Sequence, residues 1–544
     1  LMLLDRIIKY IRSERKDLLL LMYLALGYGI LSIATPIAVQ ALVSNITMGG
    51  SIQPLVVISA IMFILLVLSG LLFVLEDYVV EFIQRRLFVS TAFTVCKNVQ
   101  GMNANVHDIA NPVELTNRFL GISTLQKSAA SLLTVGLIAM IQCVIGSLVL
   151  IFYSVYFFII AVMVFICFWV IVGVLGRHAT KTAIEESSAK YSTVAFLETI
   201  AGNLYLFKFF KGIHRAESLV QSITSKYLEK RELHFKYLLR QNFTGAMAYA
   251  LIGVIMLALG GMLVIKGQIS LGQFVAAELI FFGILASFIR LLSKLEDYYD
   301  ILAAVDKIGV LEDLPQEPNK IDEVKIENLN SLNVSKVNFG YSPELLIVQN
   351  VNFFLKKGES IAITGSSGSG KSTLVNLIAS LRTPNNGVIE YDGIDLRQIN
   401  QHSLRNLIGI AAKVEVLEGS ILENIRLHDD SISIHQINEA LSDMGLLDDI
   451  VSLKKGLSTR LNYFGAPLSN VQLELLMLVR AIVTKPDLLI IDRLIDSLND
   501  IQLKTVIDCL QKRQKDWMLM ITTRSTDTAK LFNQQLLLSD QKVD

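Results

Sequence analysis

One glycine-rich segment carries a strong chemical signal. Residues 365–372 have the sequence GSSGSGKS, which matches the spacing G-x-x-x-x-G-K-[ST]. Glycines let backbone N–H groups wrap around phosphates, Lys371 would meet the β- and γ-phosphates, and the Ser372 hydroxyl can ligate Mg²⁺. An apolar strand precedes the motif, and the helix that follows directs its N-terminus toward the anion. The motif predicts nucleotide binding by Gly365, Ser366, Ser367, Gly368, Ser369, Gly370, Lys371, Ser372 and Thr373.

A second apolar strand ends in a carboxylate. Residues 487–492 have the sequence DLLIID, so Asp492 follows four apolar residues. An acid at the end of such a strand holds Mg²⁺ beside a phosphate-binding loop. The alternative is a buried strand that happens to end in a surface aspartate. Since the glycine-rich motif lies in the same part of the chain, we predict Ser372 and Asp492 as the Mg²⁺ ligands.

The first half of the chain has a different composition. The 544 residues are 52% hydrophobic and only 18% charged, with a mean hydropathy of +0.52. Residues 18–75, 128–176 and 241–265 contain no charged side chain at all. A membrane-spanning helix needs about 20 apolar residues, and uncharged runs of this length disfavour buried helices of a soluble protein. We predict six spans, at about 18–42, 55–76, 130–152, 156–176, 243–265 and 271–292.

Basic residues indicate how these spans are oriented. Five Lys or Arg precede the first span, five lie between spans two and three, and eleven lie between spans four and five. The opposite loops together carry only Lys266. By the positive-inside rule, both termini and the long loops 77–127 and 177–240 are cytoplasmic. The whole chain has 49 basic and 49 acidic residues, so no basic excess suggests a nucleic-acid partner.

Two side chains interrupt the sixth span. Glu278 lies about two turns inside it, and a carboxylate there faces a cavity, a pore or a partner charge unless it sits in the outer interface. Arg290 lies near the inner end, where we expect it to extend toward the cytoplasmic face.

Beyond residue 313 short β-rich runs alternate with helical stretches, as in α/β domains. We therefore predict a six-helix transmembrane domain over 1–312, a linker over 313–330 and an α/β nucleotide-binding domain over 331–544. The predicted fold class is an α-helical transmembrane domain followed by an α/β P-loop domain.

With these motifs in place, the chain resembles half-transporters of the ATP-binding cassette (ABC) exporter family over nearly its whole length. Residues 337–341, VNFGY, resemble the adenine-stacking loop of that family, with Tyr341 as the aromatic platform. Residues 468–472, LSNVQ, stand where the family has the signature LSGGQ, so Ser469 and Gln472 are retained. The resemblance implies ATP and Mg²⁺ as cofactors, an integral protein of the bacterial inner membrane in contact with lipid, and an exported substrate that the sequence does not identify.

The resemblance also implies a dimer, in which two copies form one pore and two composite ATP sites. It leaves open a homodimer or a heterodimer with another ABC half-transporter.

Several positions depart from the family pattern. In that family a glutamate follows the aspartate that ends the second strand, known as the Walker B aspartate, and acts as the base. Here Asp492 is followed by Arg493, which cannot act as a base. The switch histidine is replaced by Thr523, and the Q-loop glutamine is replaced by Lys413. The two signature glycines are Asn470 and Val471. Because none of the catalytic residues is intact, we predict that ATP binds while its hydrolysis is impaired or absent.

Three interpretations follow from this pattern. The chain is an ABC-exporter-like protein in which ATP binding drives or gates export, a degenerate subunit that works with a competent partner, or an ATP-gated channel or regulatory scaffold.

Overall fold

The structure is a computed structural model that describes residues 2–106, 112–209, 211–317, 323–342, 345–427 and 429–538. The chain divides into two compact units. The first comprises Leu1–Met102 and Val106–Gln316, and the second comprises Asn103–Asn105 and Glu317–Asp544. The predicted linker over 313–330 includes residues 318–322, which lie outside the described residues.

The described part of the first unit is mainly helical. Its helices are α1 Met2–Ser13, α2 Arg15–Ser32, α3 Ala34–Thr47, α4 Ile52–Gln100, α5 Pro112–Asn117, α6 Gly121–Ser131, α7 Leu137–Leu150, α8 Val155–Val170, α9 Ala179–Gly202, α10 Leu204–Lys208, α11 Gly212–Ile265, α12 Leu271–Ser293 and α13 Leu295–Glu312.

Six helical segments are long and apolar enough to cross a membrane, which confirms the predicted architecture of six spans. They are Arg15–Thr47, Ile52–Gln100, Glu114–Leu150, Val155–Leu175, Gly212–Ile265 and Leu271–Glu312. At 1.5 Å per residue, the 49 residues of α4 and the 54 residues of α11 give lengths of about 74 and 81 Å. Because a bilayer core is about 30 Å thick, both helices continue far beyond their apolar parts.

Local signals explain where the later spans begin. At the start of α8, the Ser154 hydroxyl accepts a hydrogen bond from the backbone N–H of Tyr156. At the start of α12, Ser270 and Gln273 bond to each other's backbone N–H groups and form a capping box. Both caps satisfy backbone donors that the first helical turn leaves unpaired.

Small residues bring the membrane helices close together. A Cβ atom on Gly146 of α7 would lie 2.9 Å from Cγ1 of Ile284 in α12. Close approach at glycine is a common way for helices to pack in a membrane, where the hydrophobic effect between them is weak. Around this contact lie Phe281, Leu285 and Phe288, which are fully or almost fully buried.

The second unit combines sheets with short helices. Its strands are β1 Ser331–Ser342, β2 Leu345–Lys356, β3 Ser360–Thr364, β4 Asn386–Tyr391, β5 Ile394–Asp395, β6 Ile408–Ala411, β7 Gly419–Ser420, β8 Arg460–Leu461, β9 Leu488–Asp492, β10 Met518–Thr522 and β11 Gln534–Leu537. Its helices are α14 Lys371–Ile378, α15 Gln401–Arg405, α16 Ile421–Arg426, α17 Ile434–Asp443, α18 Leu447–Ser452, α19 Asn470–Val483, α20 Asp500–Lys512 and α21 Thr526–Ala529.

The five-stranded sheet places the motifs. Its order is β11-β3-β10-β9-β6, and all of its neighbouring strands run parallel. Strands β3 and β10 are buried along their whole length, as expected for continuous apolar runs in a parallel sheet. Because parallel strands end at the same edge, the segments that follow β3, β10, β9 and β6 lie side by side, at the place where α/β folds bind their ligands.

Candidate nucleotide-binding site

The glycine-rich loop connects β3 to α14. Gly365, Gly368 and Gly370 have φ angles of +148°, +93° and +91°, which side chains with a Cβ rarely adopt. At Gly365 a Cβ atom would also lie 2.5 Å from the Ser369 Oγ and 2.6 Å from the Leu538 carbonyl oxygen. The loop therefore needs glycine both for its backbone turns and for its close packing.

Lys371 is held inside this loop. Its side chain is only 4% exposed, and Nζ donates to the carbonyl oxygens of Gly365 at 2.7 Å and Ser366 at 2.6 Å. A third, longer bond of 3.3 Å reaches the Ser369 hydroxyl. Burial lowers the pKa of Lys371 below its ordinary value, and the nearby charges of Arg493 and Arg524 lower this pKa further.

The first turn of α14 contacts the predicted aromatic platform. The Tyr341 hydroxyl lies 3.2 Å from Oγ1 of Thr373, and Ser372 is half-buried between Lys371 and Thr373. The ring of Tyr341 is 50% exposed and packs edge-on against Phe339 at 5.3 Å. Strand β1 thus presents an accessible aromatic face beside the phosphate loop.

Arg382 is an additional residue at this platform. Its guanidinium carbon lies 4.7 Å from the centre of the Tyr341 ring. A cation over an aromatic face is a favourable contact, and it fixes the position of the ring.

Asp492 ends β9 next to the last residue of β10. Thr522 pairs with Asp492 in the sheet, and its hydroxyl donates to Asp492 Oδ1 at 2.5 Å. Thr522 is completely buried. The carboxylate predicted to hold Mg²⁺ is therefore oriented by a neighbouring strand.

Arg493 follows in an unusual backbone conformation. Its φ is +64°, and its N–H donates to the Thr522 carbonyl oxygen at 3.2 Å. A non-glycine residue in this region costs on the order of 1 kcal/mol. Its positive charge is close enough to Lys371 to contribute to the lowered pKa of that lysine. The position that carries a carboxylate in the resembled family therefore adds a second cation to the phosphate loop.

Thr523, which the resemblance predicts at the position of the switch histidine, is buried. Its hydroxyl donates to Oδ1 of Asp496 at 2.6 Å, and the backbone N–H of Arg524 donates to the same carboxylate at 3.2 Å. The hydroxyl also accepts from the N–H of Ser525 at 3.0 Å. An uncharged, fully engaged hydroxyl thus stands where a titratable imidazole would be.

The signature residues serve as a helix cap. The Ser469 hydroxyl accepts from the Gln472 N–H at 3.3 Å, and Gln472 Oε1 accepts from the Ser469 N–H at 2.9 Å, which forms a capping box on α19. Asn470 is exposed and Val471 is half-buried. Across the described ranges no hydrogen bond joins Ser469 or Gln472 to the glycine-rich loop.

Lys413, at the Q-loop position, is exposed and follows β6 by two residues. The structure therefore brings the glycine-rich loop, Tyr341, Asp492, Arg493 and Thr523 to one edge of the unit. The sequence did not single out Thr522, Asp496 as a partner of Thr523, or Arg382. A polar residue at the end of an apolar strand was the available signal for Thr522.

Comparisons with known proteins support both halves of the chain. Residues 18–288 match the model of the ABC transporter transmembrane region, and residues 348–494 match the model of the ABC transporter domain. The chain is 31% identical over 289 residues to the alpha-hemolysin translocation ATP-binding protein HlyB of Escherichia coli O157:H7, a match that covers 53% of this chain and 41% of that protein.

Another relative is the leukotoxin translocation ATP-binding protein LktB of Mannheimia glucosida, 35% identical over 248 residues, which are 45% of this chain and 35% of that protein. The chain thus spans less than half the length of these curated relatives.

The fold is also similar to a solved structure. A bacterial Atm1-family ABC exporter with ATP bound superposes with a TM-score of 0.85 at 20% identity, covering 97% of this chain and 93% of that chain. The two family models match separate ranges that together span most of the sequence, and the six apolar helices precede the α/β unit as in that exporter. The chain therefore belongs to the ABC transporter family, with the organisation of an exporter half-transporter.

Proposed function

We propose that this ABC-exporter-like membrane protein binds ATP and Mg²⁺ but hydrolyses ATP very slowly or not at all, so that nucleotide binding itself drives or gates export. The observation that carries this proposal is Arg493, a permanent cation at the position where a catalytic base would follow Asp492. The intact glycine-rich loop beside it supports retained binding.

The residues present fit ATP with Mg²⁺. Three glycines with positive φ leave the backbone of the loop free of Cβ atoms, and Lys371 supplies a buried ammonium. The Ser372 hydroxyl and the Asp492 carboxylate offer the oxygen ligands that Mg²⁺ prefers. When bound, the nucleotide would supply the phosphates that bring two cassettes together.

Each residue then has a definite role in binding. Lys371 would exchange its contacts with the loop carbonyls for phosphate oxygens, and Tyr341 would stack on the adenine. Thr522 donates to Asp492 and so fixes the carboxylate that would ligate Mg²⁺. Arg493 can pair with a terminal phosphate and hold it in place, because a guanidinium donates hydrogen bonds but accepts no proton.

The steps that require proton transfer have no suitable group here. Arg493 cannot deprotonate water, and the Thr523 hydroxyl already donates to Asp496. Loss of one catalytic group costs about 10²–10³-fold in rate, although such losses do not add for groups that act as a unit. Hydrolysis at this site should therefore be negligible.

We further propose that two half-transporters form the working unit, with both termini in the cytoplasm and the six spans in a bacterial inner membrane. The proposal is supported by the family organisation and by the one-sided distribution of Lys and Arg. Ser469 and Gln472 of each copy would face the nucleotide bound by the other.

A second candidate function is that of a degenerate subunit in a heterodimer. Ser469 and Gln472 favour it, because these retained signature residues would face a competent partner's nucleotide in the composite site that could still turn over, although Asn470 and Val471 alter that surface. A competent partner would then turn over ATP at one composite site only. A channel or regulatory scaffold set by nucleotide occupancy is the third candidate.

Phosphate release from the purified full-length protein tests the proposal. We expect ATP to bind while steady-state release stays at the level of the Lys371→Ala variant. A rate within about tenfold of a competent exporter, abolished by Lys371→Ala, would refute impaired hydrolysis. Copurification of a second half-transporter from native membranes would identify the heterodimer.

A further inference from the structure

A polar cluster lies inside the transmembrane helices. Arg290 of α12 donates from Nη2 to Gln142 Oε1 at 2.9 Å and to the Ser287 hydroxyl at 2.8 Å. Ser287 is completely buried, and its hydroxyl donates to the same Gln142 oxygen at 3.1 Å. Arg290 therefore contacts a neighbouring helix, α7, in addition to lying near the end of its own span.

The cation in this cluster lacks a counter-charge. Both of its hydrogen-bond acceptors are neutral, and within the part of the chain that the structure describes no acidic side chain forms an ion pair with Arg290. Its Nε and Nη1 donors form no hydrogen bond to the described residues. A charged side chain within a membrane span is costly and usually faces a partner charge or a binding cavity.

Arg290 lines a cavity of about 180 Å³. Gln142 and Ser32 supply its other polar walls, and apolar side chains with Gly146 and Gly283 form the remainder. The lining residues are Ser32, Ile33, Pro36, Gln142, Gly146, Leu279, Ile280, Gly283, Ile284 and Arg290. From Leu279 to Arg290 the cavity follows α12 for about 16 Å, at 1.5 Å per residue.

The two ends of this cavity differ in polarity and depth. Arg290 lies 19 residues after the start of α12, about 29 Å along the helix and thus near the edge of a bilayer core about 30 Å thick. Leu279 and Ile280 lie nearer the middle. A ligand that fits would carry an anionic group at the membrane interface and an apolar chain toward the centre.

We propose that Arg290, together with Gln142, binds the anionic head group of an amphiphile whose apolar part occupies the cavity beside Gly283. The guanidinium offers unused donors to a carboxylate or phosphate oxygen, and such charge-assisted bonds are among the stronger ones in proteins. The amphiphile is either a bilayer lipid or an exported molecule, and only the second assignment rests on the proposed export function.

The test uses the full-length protein in phosphatidylcholine nanodiscs without nucleotide, at alkaline pH. A fluorescent fatty acid and its methyl ester serve as probes of equal size and different charge. We expect the acid to bind about 10-fold more tightly than the ester. Arg290→Gln should remove this preference, whereas Arg290→Lys should retain part of it because the charge remains.

Two further variants guard against a folding artefact. Arg240→Gln is the matched control, because Arg240 is also an exposed arginine near the end of a span but donates to the Leu175 carbonyl instead. It should keep the preference. Gly283→Leu should weaken both probes, since a Cβ atom on Gly283 meets nothing within 4 Å and a larger side chain would fill the cavity. Equal binding of acid and ester to the wild type, or a preference that survives Arg290→Gln, would overturn the proposal.

Replacing phosphatidylcholine by phosphatidylglycerol distinguishes the two sources. If a bilayer lipid is the ligand, phosphatidylglycerol should weaken fatty-acid binding to the wild type more than to Arg290→Gln, because it competes at Arg290. If the ligand is an exported amphiphile, phosphatidylglycerol should change both affinities by the same factor, since the anionic surface repels the fatty acid in either case. Because no nucleotide is present, the outcome is independent of whether the cassette hydrolyses ATP.

Discussion

The end of β3 and the ends of β9 and β10 lie at one edge of the sheet, but they differ in how closely their residues match the family pattern. After β3, the glycine-rich loop keeps every residue type that phosphate binding requires. After β9 and β10, Arg493 and Thr523 stand at positions where the resemblance to ABC exporters predicts a base and a switch histidine. Under the proposed function, neighbouring strand ends of one sheet serve nucleotide binding but not hydrolysis.

The difference is informative because the altered edge is well ordered by hydrogen bonds. Thr522 donates to Asp492, and Thr523 donates to Asp496. Each buried hydroxyl donates to a carboxylate on a neighbouring segment. The altered residues therefore leave neither of these buried hydroxyls without a hydrogen bond.

The largest expected effect comes from removing the lysine of the glycine-rich loop. Lys371→Ala should reduce ATP affinity by about 100-fold, because it removes a buried ammonium that can contact two phosphates. Titration of a fluorescent ATP analogue measures the loss. Lys515→Ala, at an exposed lysine, is the control and should bind as the wild type does. Equal affinities for both variants would contradict the predicted phosphate role.

The next prediction restores the residue types of the family pattern after β9 and β10. The double variant Arg493→Glu, Thr523→His should raise phosphate release by at least about 10-fold, since it supplies a base and a switch residue. The rate should remain below that of a competent exporter because Asn470 and Val471 are unchanged. Release that stays at the wild-type level would show that Arg493 and Thr523 are not the residues that limit turnover.

A smaller effect concerns binding by Arg493. If this cation assists in holding the phosphates, Arg493→Gln should weaken ATP binding about 10-fold when Mg²⁺ is removed with EDTA, and less when Mg²⁺ is present. The same titration with and without EDTA measures this difference. Arg460→Gln, at an exposed arginine on β8, is the control. An Arg493→Gln affinity unchanged in EDTA would exclude a phosphate contact.

The smallest effect is the pH dependence of binding. The pKa of Lys371 is lowered from 10.5 by burial and by Arg493 and Arg524. Phosphate binding needs the protonated form, so ATP affinity is fully present below the lowered pKa and is lost as pH rises through it. We expect the decline to begin at a lower pH than for an ordinary lysine, and to move to higher pH in Arg493→Gln. ATP titrations across alkaline pH measure the decline in affinity for the wild type and for Arg493→Gln. Identical pH profiles for the two proteins would contradict an effect of Arg493 on the pKa of Lys371.

Local patterns allowed much of this molecule to be predicted. Charge-free runs predicted six spans, because a bilayer admits few charged side chains, and the spacing of Gly365, Gly370 and Lys371 predicted the phosphate loop. Each of these signals lies within one continuous segment.

The contacts between distant segments could not be predicted in this way. Strand β10 lies between β3 and β9 in the sheet although it follows both in the chain, so the pairing of Thr522 with Asp492 depends on strand order. Likewise, the contact of Arg290 with Gln142 depends on which faces of α12 and α7 meet. Periodicity shows that a strand or helix is buried but not which neighbour it touches.

The buried bond between Thr523 and Asp496 has a consequence for how this protein would respond to the cell. If hydrolysis is as slow as proposed, no chemical event ends the bound state, because the Thr523 hydroxyl that donates to Asp496 does not titrate. Release then depends on dissociation alone, and the fraction of closed cassettes follows the free ATP concentration by mass action. Such a protein would behave as a gauge of ATP level rather than as a motor timed by hydrolysis.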